Sequence, residues 1–391
     1  MLNFLKTLQQ RTPLGLLQLK HDPIRLLTAI AGITFADILI FMQLGFADAL
    51  FKSNTQYPRI LQTDLVLIST QAKNFGQLRT FTRRRLYQAQ DVPGVASVDA
   101  LYLGSVQWRN PQTLKKTSML LVGQNPNRPA FNLSEINQQL DAIQMPNTVL
   151  FDRASRGDYR EMIEKVEQGQ TATTEIGLRT VKIAGLFEVG ASFADDGALI
   201  TSHENFLRLF PRQEVGTVSL GLIRLEPEYD PEQVKEALAA HLPEDVQVFT
   251  SEGYVDFELA AIQSDSPISF VFNLGSAMGF IVGLVIVYQV LSTDVNSHLA
   301  EYATFRAMGY RNSYLLGIVF EEAIILSVLG FLPGLAVALG AYQLTAVATA
   351  LPIAMSVSRA IIVLLLTFVM CGVSGGIATR RLQSADPADI F

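Results

Sequence analysis

Cysteine is nearly absent from this chain. Its one representative, Cys371, falls inside an apolar run, and a single cysteine excludes an intrachain disulfide. A lone cysteine in such a run reads as a small packing residue. Histidine is also scarce, at four residues. His203 and His241 each sit on a predicted helix with no cysteine, histidine or carboxylate at ligand spacing, so both read as ordinary surface residues rather than metal ligands. No GxxxxGK[ST] phosphate loop occurs, so the chain does not bind nucleotide in that way. The HExxH zinc pair and the GxSxG nucleophile elbow are missing too, and no catalytic residue emerges. Charge is thin, at 17% of residues.

What fills the space is apolar, and it is unevenly spread. Mean hydropathy is +0.28, and four segments are long and apolar enough to cross a bilayer: 24–50, 268–291, 315–338 and 360–379. Each meets the requirement of roughly 20 apolar residues for a core of about 30 Å. The third pattern runs on to about residue 351. The first has too long an apolar region, and no small-x-small cleavage pattern, to be a secretory signal, so it is expected to stay as an anchor. Residues 1–23 carry leucines at helical spacing, interrupted at Pro13, as expected of an amphipathic segment lying in the membrane interface.

Lys6, Arg11, Lys20 and Arg25 precede the first span, Arg306 and Arg311 lie between the second and third, and Arg380 and Arg381 follow the last. The positive-inside rule then places both termini and the 292–314 connection in the cytoplasm, and segment 51–267 on the far side. That segment holds 21 Lys and Arg against 27 Asp and Glu, so the whole net charge of −6 belongs to it. Nucleic acid is an unsuitable partner for such a surface.

Within 51–267, strands are expected at 64–70, 97–108, 118–124, 218–225 and 246–250, and helices at 77–90 and 231–242. This β-α-β-β … β-α-β order predicts an α+β domain with a ferredoxin-like core. A lobe is inserted at about 125–215, with strands at 147–151 and 180–189 and helices at 134–143, 158–168 and 203–210. Arg83-Arg84-Arg85 reads as a solvated helix face. Asp195-Asp196-Gly197 suits a turn better than a metal cage.

The spans carry several polar and small residues. Asp37 lies near the middle of the first, where a lipid-facing carboxyl costs about 2.5–3.5 kcal/mol. It is either a proton or substrate site or, more plainly, one half of a helix–helix hydrogen bond. Gly275, Gly279 and Gly283 recur every four residues on one helix face, a small-xxx-small pattern for close packing against another span, within the chain or across a dimer axis. Glu321 and Glu322 are about 100° apart on the third span and cannot share a face; one is expected to turn inward and the other toward an aqueous crevice. Gly330 and Pro333-Gly334 would allow that helix to bend.

The connection His298-Leu-Ala-Glu-Tyr-Ala-Thr-Phe-Arg-Ala-Met-Gly-Tyr-Arg-Asn-Ser-Tyr314 is too rich in helix formers for a tether. Its segment Glu301-Tyr-Ala-Thr-Phe-Arg-Ala-Met-Gly309 resembles the E-x-x-x-x-R-A-x-G signature of the MacB/FtsX-like permeases of ATP-binding-cassette systems. Glu322-Ala323, the later Gly330 and Gly334, the tail from Arg380 to Asp389, and Asp64-Leu-Val-Leu-Ile-Ser69 are similar to further motifs of that superfamily. The stretches from Gly32 to Phe46 and from Gly309 to Tyr314 resemble its DevC type. The resemblance implies a permease subunit that works as a homodimer. Its implied partners are a DevA-like ATPase that holds the ATP and Mg, a DevB-like membrane fusion protein and a TolC-like outer-membrane channel. The cargo implied is glycolipid or other envelope material, and this chain itself needs no cofactor. An FtsX-like regulator of cell-wall hydrolases and a lipoprotein-releasing permease share the architecture. On this reading 292–314 is a cytoplasmic coupling helix. Ala300, Ala303 and Ala307 face the spans, and His298, Glu301, Phe305 and Met308, with Arg306 and Gly309 of the signature, face the ATPase.

Overall fold

The structure, a computed structural model, describes residues 22–211, 213–214, 216–265, 267–298, 301, 304, 308–310 and 312–379. The amphipathic segment expected at the N-terminus and the tail from Arg380 lie outside the described residues.

Among the described residues, four long helices are apolar enough to span a membrane: α1 (Pro23–Ile60), then, after the sheet-rich segment, α8 (Pro267–Ser297), α9 (Asn312–Thr349) and α10 (Val357–Ala378). The intervening elements are β1 (Leu65–Ser69), β2 (Phe81–Thr82), α2 (Arg84–Gln90), β3 (Val95–Arg109), β4 (Lys116–Gln124), α3 (Ser134–Asn137), β5 (Thr148–Asp152), α4 (Arg160–Glu167), β6 (Ala172–Ile176), β7 (Arg179–Phe187), β8 (Ala198–Ser202), α5 (His203–Leu209), β9 (Thr217–Val218), β10 (Leu220–Leu225), α6 (Pro231–His241), β11 (Val246–Thr250) and α7 (Ser251–Asp265). The chain forms two compact units. One takes the residues up to Ala47, Phe270–Leu344 and those from Ile353 on; the other is Asp48–Ser269 with Thr345–Pro352.

In the sheet-rich unit, β11, β1, β10 and β3 pair in that order, all antiparallel. β1 is buried along its whole length, as its unbroken Leu-Val-Leu-Ile run requires. α6 opens with Asp230 accepting from the Glu232 N–H and with Pro231 at its first position, both standard helix starts. β3 is fifteen residues long and serves two sheets. Its first half pairs with β10, while from Tyr102 onward it pairs with β4. Pairing then runs β4–β8–β5–β7–β6 and returns to β3 at Trp108 and Arg109, closing a six-stranded ring. The lobe therefore begins near Tyr102, inside a strand, rather than at Asn125. The helix expected over 134–143 is a single turn, α3, followed by a 3-10 turn at Ala142–Gln144.

Two apolar cores result. Trp108 stacks on Phe151, with Tyr159, Met162, Ile183 and Leu199 around them. The second gathers Tyr57, Phe75, Phe131 and Tyr254, with Tyr57 and Phe75 stacked face to face. At its edge Glu258 of α7 is fully buried, and its Oε2 accepts from the Phe75 backbone N–H at 2.8 Å. Burial pushes this carboxyl up to about 7, while the Phe75 N–H and the Tyr254 hydroxyl pull in the opposite direction.

In the other unit, glycines set the helix approaches. A Cβ on Gly275 would meet Gln43, on Gly279 Ile40, and on Gly283 Ala36 and the Met370 sulfur, so α8 lies against α1 and α10 within the chain. Gly330 faces Ile33 and Gly334 faces Asp37, where the Thr34 hydroxyl donates to the Gly330 carbonyl at 3.0 Å. α9 runs on through Pro333. Its glycines thus serve as contact points for α1. Phe270, Leu274, Met278, Ile281 and Val285 stay exposed along α8, a stripe suited to lipid.

Candidate functional site

The candidate coupling site is the end of α8 with the connection that follows. Asp22 caps α1, accepting from the Arg25 N–H at 3.1 Å. Arg25 then reaches the far end of α8, donating to Asp294 Oδ1 at 3.0 Å and to the Ser297 hydroxyl at 2.9 Å. A cation at a helix C-terminus also meets the negative end of the helix dipole. His298 packs back on the same turn, its Nδ1 3.1 Å from the Asp294 carbonyl. Asp294 is only 4% exposed, so the arginine is what makes its burial tolerable. Neither Arg25 nor Asp294 stood out in the sequence, where Arg25 counted only as one of several flanking cations. A long-range pair of this kind has no signature at fixed spacing.

Beyond His298 the backbone is described only in part, and Phe305 and Arg306 lie outside the described residues. Glu301 is exposed, and Met308 is 61% exposed. The Met308 N–H bonds to the Thr304 carbonyl at 3.0 Å, a helical turn, and Gly309 follows with φ +91. That left-handed residue is the usual stop for a helix. The Tyr310 and Tyr314 rings meet where α9 begins, 4.9 Å apart and tilted by 39°. Among its described residues the connection thus presents exposed Glu301 and Met308, and His298 before it packs beside the Arg25–Asp294 tie.

The intramembrane polar residues are placed singly. Asp37 is fully buried and its Oδ1 accepts from the Thr367 hydroxyl of α10 at 2.7 Å, a helix–helix hydrogen bond. Glu322 is fully buried beside Asp294, while Glu321 is partly exposed. Gly275, Gly279 and Gly283 are packing positions away from this site.

In the sheet-rich unit His203 is half-buried: its ring lies edge-on to Tyr102 and its Nε2 is 2.8 Å from the Ala100 carbonyl. Burial lowers its basicity, so it is not the surface residue expected. Arg85 pairs with Asp245 at 3.0 Å, while Arg83 and Arg84 are exposed. Asp195 accepts from the Ser105 and Ser118 hydroxyls, and Asp196 pairs with Arg156 at 2.7 Å.

Comparison with known proteins gives a family for the C-terminal part. Residues 273–387 match the FtsX-like permease C-terminal family. No curated protein matches the chain. Among solved structures, the periplasmic region of MacB from Actinobacillus actinomycetemcomitans is similar at 12% identity and a TM-score of 0.33, over 55% of this chain and 99% of that one. The extracellular domain of the ABC-type transporter YknZ from Gram-positive bacteria is similar at 14% identity and a TM-score of 0.30, over 48% of this chain and all of that one.

Proposed function

We propose that this chain, whose residues 273–387 are an FtsX-like permease domain, is the membrane subunit of a DevC-type ATP-binding-cassette exporter. It sits in the inner membrane, with its termini and the 298–314 connection in the cytoplasm and the sheet-rich unit in the periplasm. A DevA-like ATPase binds the connection and supplies ATP and Mg; two copies of each assemble. ATP-driven closure of the ATPase pair displaces the connection, α1 and α8 carry the displacement, and the sheet-rich unit moves cargo. A DevB-like fusion protein and a TolC-like channel receive that cargo, envelope material of the glycolipid class.

The observation that supports this reading is the Arg25–Asp294 tie. It joins the start of α1 to the end of α8 just before the connection, so force that the connection delivers to α8 would be shared with α1. Helix length agrees with it. The 38 residues of α1 extend about 57 Å, against about 30 Å of hydrocarbon. Phe305→Ala and Glu301→Lys test the reading in the full chain. Each is expected to weaken ATPase binding by about 2 kcal/mol, roughly thirtyfold, with membrane insertion intact. Co-purification of the ATPase with both variants at the wild-type level refutes it.

A further inference from the structure

The connection leads into α9 as well as out of α8, and the far end of α9 is held in an unusual way. A helix leaves its last carbonyls without intrahelical partners. Here the Ala346 carbonyl takes the Ala350 N–H at 2.9 Å, with Ala350 in the left-handed region at φ +51. The Thr349 carbonyl accepts from Nε of Arg156, in the loop after β5, at 2.5 Å. The same guanidinium donates from Nη1 to Asp196 Oδ1 at 2.7 Å and from Nη2 to the Ser192 carbonyl at 3.1 Å. A planar fork that serves three acceptors at once holds them in a fixed mutual geometry.

The loop carrying Arg156 is itself braced. Its backbone N–H donates to the Asp196 carbonyl at 2.6 Å. Gly197 leaves room for Ser155, since a Cβ there would come within 1.9 Å of the serine hydroxyl. The fully buried carboxylate of Asp152 gathers the backbone N–H groups of Ala154, Val189 and Gly190, joining the 152–156 and 188–197 loops. The Gly190 carbonyl in turn accepts from Gln56 of α1 at 3.0 Å. One pair of loops thus grips the outer parts of both α1 and α9.

We propose that Arg156 is a coupling residue, through which displacement of the outer end of α9 is passed to the 188–197 loop and so to the closed ring of strands. This adds a route through α9 to the one through α1 and α8, and it rests on the proposed function for its driving force. Arg156 acts by position: it clasps a carbonyl and touches no cargo.

Hydrogen exchange on the full chain in lipid nanodiscs tests the clasp. Arg156→Ala removes it. Arg156→Asp with Asp196→Arg restores an ion pair but leaves the Thr349 carbonyl without its donor, so it separates loop stability from the clasp. Both variants are expected to exchange about tenfold faster than wild type over 345–352, with the interior of α9 unchanged. Wild-type protection of 345–352 in the double variant overturns the clasp. With the ATPase subunit reconstituted, ATP is expected to change exchange in 345–352 and 188–197 together in wild type, and to change 188–197 less in the double variant, where Gln56 of α1 still holds the Gly190 carbonyl but Arg156 no longer links the loop to α9. Equal changes in both segments of both proteins overturn the Arg156 route. If ATP alters neither segment in wild type, the proposed function fails, and the ATP-free comparison still decides the clasp.

Discussion

Replacing Glu258 with glutamine should remove a large and separable part of the pH dependence of the sheet-rich unit's stability. The carboxyl is fully buried, bonded to the Phe75 N–H, and pushed by burial to about 7 from an ordinary 4.5. Between those two values the folded state holds a proton that the unfolded chain has released. Stability therefore falls as pH rises, by about 1.4 kcal/mol per pH unit, or about 3 kcal/mol across the window. Below pH 4.5 both states are protonated and the full stability is present; above pH 7 the loss is complete. Glutamine keeps the shape and the acceptor for Phe75 but is neutral throughout. The variant should match wild type near pH 4.5 and exceed it by up to about 3 kcal/mol at pH 8. Asp152, pushed by burial to about 6, adds a slope of the same sign, common to both proteins, so their difference isolates Glu258. Urea unfolding of the full chain, followed by fluorescence of the single, fully buried Trp108, measures it. Parallel stability–pH curves for the two proteins would refute the reasoning.

Other outcomes follow from packing. Gly283→Leu drives a side chain into Met370 and Ala36, already 2.2 and 2.7 Å from a bare Cβ. The helical unit should lose about 3 kcal/mol in detergent unfolding, and a loss under 1 kcal/mol would show that the helices yield there. Trp108→Ala removes the largest fully buried side chain and should cost about 3–5 kcal/mol by circular dichroism in urea. An effect confined to a few tenths would mean the Phe151 cluster refills the gap.

The four spanning helices were legible because composition alone marks them, although their ends were not. Apolar content stops at the bilayer, whereas α1 and α9 continue as helices to Ile60 and Thr349. The strands of the four-stranded sheet and its two helices were legible as short β-like and α-like pieces in a β-α-β-β … β-α-β order. β8 escaped notice because Ala198–Ser202 is buried on both faces and shows no alternation, and β6 because Ala-Thr-Thr-Glu-Ile is short and polar. At the candidate coupling site, His298, Glu301, Met308 and Gly309 could be singled out because they lie in one stretch of sequence. Arg25 and Asp294, 269 positions apart, could not, and the same holds for Arg156 and Thr349.

The long strand β3 has a consequence for how the chain can be cut or recombined. Because one continuous fifteen-residue strand is shared by the antiparallel sheet and the closed ring, neither can be excised at a loop without tearing the other's edge. A hybrid that exchanges the lobe must be spliced between Leu101 and Tyr102, in mid-strand. Exchanging one sheet without the other therefore means cutting a strand rather than a loop.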